Sequence, residues 1–315
     1  MSLDHYVSQV HLRKFYAKSA NFQKMFAYRK SDSAVFLCGS KDVCRFKEGS
    51  TNLFLTESRF LEEFLMKIEP DYDRACSSIA AGEFTFDDIL VIAGFAAFII
   101  GCSPTAMRLG EKQLKSQLDA QIVIMERKGF LNPPPSVFVG KSLTELLASG
   151  TLQINVDRKY PQAMGIADIV YMSNSLASFH WDILVNSRSE KSPFLSSDFP
   201  AAVERSNLNV PANRIIPLRP DLAVRIVPQI RPVSHYNMDS NFSYRIKQLS
   251  PSEVHKVNVD IVRSAENLIF ASVKAKWVTQ LLKKNAKFRI ELDHMQFCTK
   301  TGWFFEDSLV VKETK

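Results

Sequence analysis

Five polar side chains in this sequence are of types that hydrolytic sites use. Two lie in the opening segment, two in a helical segment and one after an apolar run: His5, Arg13, Glu62, Glu69 and Asp198. Paired carboxylates can bind a divalent cation such as Mg²⁺ or Mn²⁺. A histidine, an aspartate or a bound water can act as the base, and an arginine can stabilise developing negative charge. Together they would suit hydrolysis of a phosphodiester.

The carboxylates Glu62 and Glu69 are seven residues apart, so they share one face of a helix and flank its apolar stripe. We interpret them as metal ligands, and His5, Arg13 and Asp198 as catalytic groups. This hypothesis requires the opening strand and the turn at Asp198 to lie side by side around one cavity.

Each of these residues also has a structural interpretation. A histidine near a chain terminus and carboxylates on a helix are most often solvated. Asp198 precedes Phe199-Pro200, where an aspartate commonly accepts backbone hydrogen bonds in a turn. The alternative hypothesis is therefore a buried hydrogen-bond network that docks the N-terminal strands on the C-terminal sheet.

A basic segment near the C-terminus is the strongest candidate for contact with nucleic acid. Residues 274–289 contain no acidic residue. Their basic residues are Lys274, Lys276, Lys283, Lys284, Lys287 and Arg289. Such a cluster favours phosphate-backbone contact, and a solvated cationic helix end is an equal alternative.

The elements that must position these residues follow from apolar spacing and capping signals. Short apolar clusters in residues 5–55 predict antiparallel strands, with His5 on the first strand and Arg13 at its exit. Three helices follow: the first ends at Gly82, the second starts at a capping box of Thr85 and Asp88, and the third opens at Pro104 and ends before Gly129. Asn132-Pro133-Pro134-Pro135 indicates a linker. A long helix is predicted from about Pro161 to Val185, carrying His180, Trp181 and Asp182. Strands and two helices complete the chain.

Composition limits the class of protein. The 315 residues are 46% hydrophobic with a net charge of +7, which suits a folded protein and modestly favours polyanionic partners. Five cysteines without a C-x-x-C pair argue against a disulfide framework or a thiolate zinc site. Residues 89–100 are apolar but too few for a membrane span, and no secretory signal is apparent, so we expect a cytoplasmic protein. Motifs of nucleotide kinases, Rossmann oxidoreductases, serine hydrolases and zincins are absent from the sequence.

Two short peptides and their order along the chain resemble a known bacterial family. His5-Tyr6-Val7-Ser8 is similar to the His-Tyr-Val-Pro opening of domain of unknown function 4238, with Ser8 in place of proline. Ser197-Asp198-Phe199-Pro200 is similar to its Ser-Asp-Asn-Pro motif, with Phe199 in place of asparagine. The Leu-Glu-x-x-x-x-x-Ile-Glu spacing that contains Glu62 and Glu69 also resembles the spacing of these residue types in the family. The resemblance implies a soluble bacterial protein without an assigned activity, for which a place in defence against mobile elements is a plausible interpretation.

The sequence thus predicts an α+β fold with N-terminal antiparallel strands, a central helical bundle and a C-terminal mixed sheet with flanking helices. We expect a single composite domain over 1–315, with a possible subdivision into 1–131 and 136–315 around a linker at about 132–135. The first functional hypothesis is a metal-dependent nucleic-acid hydrolase. The alternative is a non-enzymatic module that binds nucleic acid or protein. The oligomeric state and the enzymatic nature stay open.

Overall fold

Helices and strands are both distributed along the chain. The structure, a computed structural model, describes residues 3–18, 23–138, 140–204, 212–228, 243–299 and 302–314. In these ranges the helices are α1 (Gln9–Arg13), α2 (Phe60–Ala81), α3 (Phe86–Cys102), α4 (Pro104–Arg127), α5 (Leu143–Ala148), α6 (Lys159–Ala167), α7 (Ile169–Ser178), α8 (Pro251–Ser264) and α9 (Lys276–Asn285).

The strands are short except for the last two, which form a long hairpin. They are β1 (Leu3–His5), β2 (Met25–Arg29), β3 (Val35–Cys38), β4 (Arg45–Lys47), β5 (His180–Val185), β6 (Ser196–Ser197), β7 (Ala202–Glu204), β8 (Asn213–Arg219), β9 (Leu222–Val227), β10 (Ser243–Gln248), β11 (Leu268–Ala271), β12 (Phe288–Thr299) and β13 (Gly302–Glu313). The predicted α+β class is confirmed, with N-terminal antiparallel strands, central helices and a C-terminal mixed sheet.

Capping residues explain where the central helices begin and end. Helix α2 ends at Gly82, whose φ of 77° is a left-handed conformation that glycine adopts without strain. Asp88 Oδ2 accepts a hydrogen bond from the Thr85 amide at 2.9 Å at the start of α3. Ser103 Oγ accepts one from the Ala106 amide at 3.2 Å at the start of α4. These three boundaries agree with the sequence prediction.

Helix α3 is the buried centre of the helical layer and packs against α2, α6 and α7. Its contact with α6 depends on a pair of glycines. A Cβ atom built at Gly165 would lie 2.1 Å from the backbone oxygen of Gly101, so only glycine allows this approach. Most residues of α3 are buried, which explains why its sequence is apolar on nearly all sides.

A five-stranded mixed sheet in the order β10-β5-β9-β8-β7 divides the core into two parts. Strands β10 and β5 are parallel and the other pairs are antiparallel. Successive residues of a strand face opposite sides. Ile183 accordingly packs with the helices around α3, whereas Leu184 packs with α8 and α9. The sheet therefore has apolar layers on both faces.

A second, antiparallel sheet joins distant parts of the sequence in the order β3-β2-β11-β6. Strand β11 pairs with β2 from the N-terminal region and with β6 from the C-terminal region. The strands of this sheet thus come from both sides of residues 132–135. Strands β1 and β4 form a separate pair near its edge, and β12 pairs with β13.

The long helix expected from Pro161 to Val185 is wrong in its second half. Helix α6 ends at Ala167 and α7 ends at Ser178. The residues His180–Val185 form strand β5. This strand is buried on both faces between β9 and β10, so its apolar run lacks the alternation that separates a strand from a buried helix. Arg13 was likewise expected at a strand exit and lies in α1.

Among the described residues, no single helix has the length and apolar character needed to cross a membrane. Only α3 and α4 taken together meet that length and composition criterion, and they bend by 50° at Ser103.

Candidate functional site

The opening segment lies against the loop before β4. His5 pairs with Arg45 in the β1–β4 ladder, and its Nε2 atom is 3.1 Å from the Ser40 carbonyl oxygen. Burial lowers the pKa of His5, whereas the hydrogen bond to Ser40 and the charge of Glu69 raise it. His5 and Glu69 are therefore close enough to interact electrostatically, and the histidine is partly buried rather than solvated.

The other members of the predicted site do not join this pair in a metal-binding group. Glu62 forms an ion pair with Arg59, the residue that precedes α2, and Arg13 is exposed on α1. In the described ranges, no three His, Cys, Asp or Glu side chains are grouped as metal ligands. The assignment of Glu62 and Glu69 as ligands, and of His5 and Arg13 as catalytic groups, stays a prediction.

Asp198 is buried and both of its oxygens bind backbone amides. Oδ1 accepts from the Glu266 amide at 2.9 Å, and Oδ2 accepts from Asn267 at 2.7 Å and Leu268 at 3.0 Å. Burial raises the pKa of Asp198 to about 6, whereas the three amide donors act in the opposite direction. This geometry supports the alternative predicted for Asp198, a turn acceptor, although the turn follows α8 and is distant in sequence.

Lys30 holds the same turn from its other side. Its ammonium group donates to the carbonyl oxygens of Val262 at 3.0 Å, Ala265 at 2.7 Å and Phe288 at 2.6 Å. Burial lowers the pKa of Lys30 to about 8, against the charge of Asp198. The end of α8 and the start of β11 are thus fixed by two buried charges of opposite sign.

A buried hydrogen-bond chain connects the opening segment to β6. His11 Nδ1 is 2.8 Å from the Tyr72 hydroxyl, and His11 Nε2 is 2.8 Å from Ser196 Oγ. The imidazole stacks on Phe95, with ring centroids 4.8 Å apart. Burial lowers the pKa of His11 to about 3, so the ring is neutral and one nitrogen donates while the other accepts. All three hydrogen-bonding side chains are buried, which suits a structural role.

The opening segment and the segment that leads into Asp198 are therefore in contact, through His11 and Ser196. This contact is a buried hydrogen bond, and His5, Arg13 and Asp198 are not among the residues that line the groove described below. Sequence reasoning missed His11 and Lys30, because neither lies in a recognisable motif. The helical position of His11 between Val10 and Leu12 is the one signal that could have indicated burial.

A charged network crosses one face of the five-stranded sheet. Asp182 is buried, and its Oδ2 atom accepts from Arg225 at 3.3 Å and from Arg245 at 3.1 Å. His180 Nε2 is 3.3 Å from Asp182 Oδ1, and its Nδ1 is 2.6 Å from Ser243 Oγ. These are the residue types of a serine nucleophile relay. Because two guanidinium groups already neutralise Asp182, little of its charge is left to stabilise an imidazolium, and we interpret the network as structural.

The predicted nucleic-acid-binding residues lie on and around α9. Lys274, Lys276, Lys283 and Lys284 are exposed, and they form no ion pair with any described residue. Lys287 is 3.8 Å from Glu313, and Arg289 donates to Glu291 Oε1 at 2.6 Å. The six residues therefore divide into four unpaired lysines and two paired cations.

A groove of about 560 Å³ lies between β1, the β3–β4 connection and the start of β11. Its lining includes Arg29, Phe36, Arg45 and Asn267. Asn267 and the neighbouring Leu268 are the residues whose amides Asp198 binds, so the Asp198 turn forms one wall.

Comparison with known proteins identifies a family but no characterised relative. The model of a family described as protein of unknown function, DUF4238, matches residues 4–275. No curated protein and no solved structure matches the chain significantly. The match begins at the opening strand, includes the Ser-Asp turn and ends just before α9. Because it covers most of the chain, the protein belongs to the DUF4238 family.

Proposed function

We propose that this protein is a nucleic-acid-binding module that contacts the phosphate backbone through the exposed face of α9. The observation that carries the proposal is the set of four exposed lysines at 274, 276, 283 and 284, which have no acidic partner among the described residues. When such a lysine binds a phosphate, the counterions condensed on the nucleic-acid backbone are released. Because the lysine has no acidic partner, no ion pair within the protein must be broken first.

The opposite face of α9 supports this interpretation because it is anchored in the core. Val278, Leu281 and Leu282 are buried with the residues of α8, and Asn285 Oδ1 accepts a hydrogen bond from Arg263 at 2.7 Å. The lysines therefore extend from a helix of fixed position. A preorganised surface loses less conformational entropy on binding than a flexible basic tail does.

The hydrolase hypothesis has less geometric support than the binding hypothesis. Asp198 uses both oxygens for backbone amides, and Glu62 is paired with Arg59. His5 and Glu69 form the part of the predicted site whose members interact. Hydrolysis of bound nucleic acid in the cytoplasm therefore stays a prediction, which incubation with Mg²⁺ or Mn²⁺ and with chelator would test.

The binding experiment compares two variants of equal charge. One replaces Lys274, Lys276, Lys283 and Lys284 by glutamine. The control replaces four exposed lysines elsewhere, Lys67, Lys128, Lys141 and Lys191. Each variant lowers the net charge from +7 to +3, since four positive charges are removed. Fluorescence anisotropy with labelled DNA and RNA, measured over a range of salt concentrations, gives the affinity and its salt dependence.

We expect the α9 variant to bind at least tenfold more weakly than the control. The slope of log affinity against log salt should become shallower by about 3.6, because each of the four lost phosphate contacts contributes about 0.9. Equal affinities for the two variants would show that net charge alone is responsible and would contradict the proposed surface.

A further inference from the structure

The groove beside the opening strand contains the parts of a site for one nucleotide. Its lining combines two arginines, an aromatic ring, an amide, a hydroxyl and one carboxylate with apolar residues; the polar and aromatic members are Arg29, Arg45, Phe36, Asn267, Ser31 and Asp42. Its volume of about 560 Å³ lies within the range of small-ligand sites. The groove is open to solvent along one side, so a ligand could enter as part of a longer chain.

Arg29 and Phe36 form a stack on one side of the groove. The guanidinium carbon of Arg29 lies 5.5 Å from the centroid of the Phe36 ring. Asp32 accepts a hydrogen bond from Arg29 Nη1 at 3.1 Å, which helps to hold the guanidinium group in place. The Arg29 side chain is 47% exposed, so its outer surface is free. Planar guanidinium groups are surfaces on which nucleic-acid bases stack.

At the polar end of the groove, hydrogen bonds hold the backbone of Asn267 in place, whereas its side chain forms no hydrogen bond with any described residue. The Asn267 amide donates to Asp198 at 2.7 Å, and the Asn267 carbonyl accepts from the Lys30 amide at 2.8 Å. The Asn267 side chain is exposed and has no partner among the described residues, so its amide can bind a base edge. Arg45, exposed on β4, supplies a second cation to the lining of the groove.

The groove is connected to the basic segment through Lys30. This residue lies between Arg29 and Ser31 and donates to the Phe288 carbonyl at 2.6 Å. Phe288 is flanked by Lys287 and Arg289, so the groove wall and the end of the basic segment are adjacent. Arg289 also lies 4.0 Å from Glu266, the residue before Asn267 of the groove, so the end of the basic segment is close to the groove.

From these observations we propose that the groove holds one unpaired nucleotide, which gives the protein a preference for single-stranded nucleic acid. The base stacks on Arg29 above Phe36, Asn267 and Ser31 bind its edge, and Arg45 binds a phosphate. This inference rests on the proposed binding through α9 and specifies its ligand. A base paired in a duplex cannot enter the groove, so duplex DNA would be held by α9 alone.

The test measures binding of a labelled 12-nucleotide single strand and of the corresponding duplex to four proteins. These are the wild type, Arg29→Ala, Arg45→Ala and the control Arg59→Ala. Arg59 is a matched control because it is exposed and paired with an acidic residue three positions later, as Arg29 is. Thermal unfolding of each variant verifies that the fold is unchanged, and Asn267→Ala provides a further variant that keeps both arginines.

We expect the wild type to bind the single strand about tenfold more tightly than the duplex. Arg29→Ala should remove most of this difference, since one stacked base contributes about tenfold. Arg45→Ala should reduce it by removing the phosphate contact, and both variants should leave duplex binding unchanged. Arg59→Ala should behave as the wild type does. Equal wild-type affinity for both ligands, or Arg29→Ala and Arg45→Ala variants that keep the preference, would overturn the groove assignment. If the groove assignment fails but the α9 lysine variant loses binding to both ligands, the α9 surface is still supported. A wild type that binds neither ligand would refute both proposals.

Discussion

The buried carboxylate of Asp198 accepts hydrogen bonds from three partly buried backbone amides. A buried unsatisfied donor costs about 1–3 kcal/mol. The turn after α8 therefore accounts for an aspartate at this position, and its catalytic role stays a prediction. Lys30 satisfies the carbonyl groups of the same turn, so the two residues act as a pair across it.

The first prediction concerns replacement of this carboxylate. Asp198→Asn should destabilise the protein by about 2 kcal/mol, because the asparagine has a single acceptor oxygen and turns an NH₂ group towards amide donors. Urea denaturation at constant pH measures the free energy of unfolding. Asp119→Asn, at an exposed position of α4, is the control and should change this free energy by less than about 0.5 kcal/mol. A stability loss no larger than that of the control would contradict the role assigned to Asp198.

The second prediction concerns His11 and acid. Burial lowers the pKa of His11 in the folded state to about 3, from its usual value of 6.5. Between these values the unfolded chain binds a proton that the folded protein does not, so stability decreases as the pH falls from about 6.5 towards 3. The expected contribution is about 1.4 kcal/mol per pH unit.

Unfolding free energies measured from pH 7 to pH 4 would test this slope. His11→Gln should remove the contribution of this residue and flatten the curve, while His255→Gln, at an exposed site on α8, should leave it as in the wild type. The same pH dependence in both variants would show that other groups are responsible.

At the scale of helices, α3 and α6 are in close contact at a pair of glycines. Gly101 and Gly165 face each other across the contact, and any side chain at Gly165 would overlap the backbone of α3. Helices can pack at short distance where both lack a Cβ atom. The position of α6 relative to the buried helix depends on this contact.

The third prediction is that Gly165→Ala separates these helices. The added methyl group would lie 2.1 Å from the Gly101 oxygen, and we expect a loss of about 3 kcal/mol in unfolding free energy. Met164→Ala, on the same helix with 47% of its side chain exposed, is the control and should cost much less. Chemical denaturation compares the two, and an unchanged midpoint for Gly165→Ala would show that the helices can shift without cost.

For the whole molecule, the antiparallel sheet β3-β2-β11-β6 requires strands from both sides of the proline-rich segment at 132–135. The His11–Ser196 hydrogen bond and the contacts of Lys30 also connect the two halves. A chain cut at this segment would lose the partners of β2 and β11. Both segments thus contribute strands to one sheet, and a single composite domain over 1–315 is the prediction that separate expression of the two segments tests.

The fourth prediction follows from this connection. Residues 1–131 and 136–315 expressed separately should each fail to fold, because each would expose an unpaired strand and part of the core. Circular dichroism with thermal unfolding would show no cooperative transition for either piece, and mixing them should restore one. A cooperative transition in either isolated piece would contradict the prediction, and the intact chain is the control.

Capping residues, helical spacing and the basic segment were sufficient to predict the class of fold, the boundaries of α2, α3 and α4 and the location of exposed lysines. These features depend on interactions between residues close in sequence, which the sequence displays directly. Strand β5 was mistaken for helix because its burial on both faces removes the alternation that identifies a strand. The partners of Asp198, His11 and Lys30 lie far from them in the chain, so only the tertiary structure could show which polar groups they satisfy.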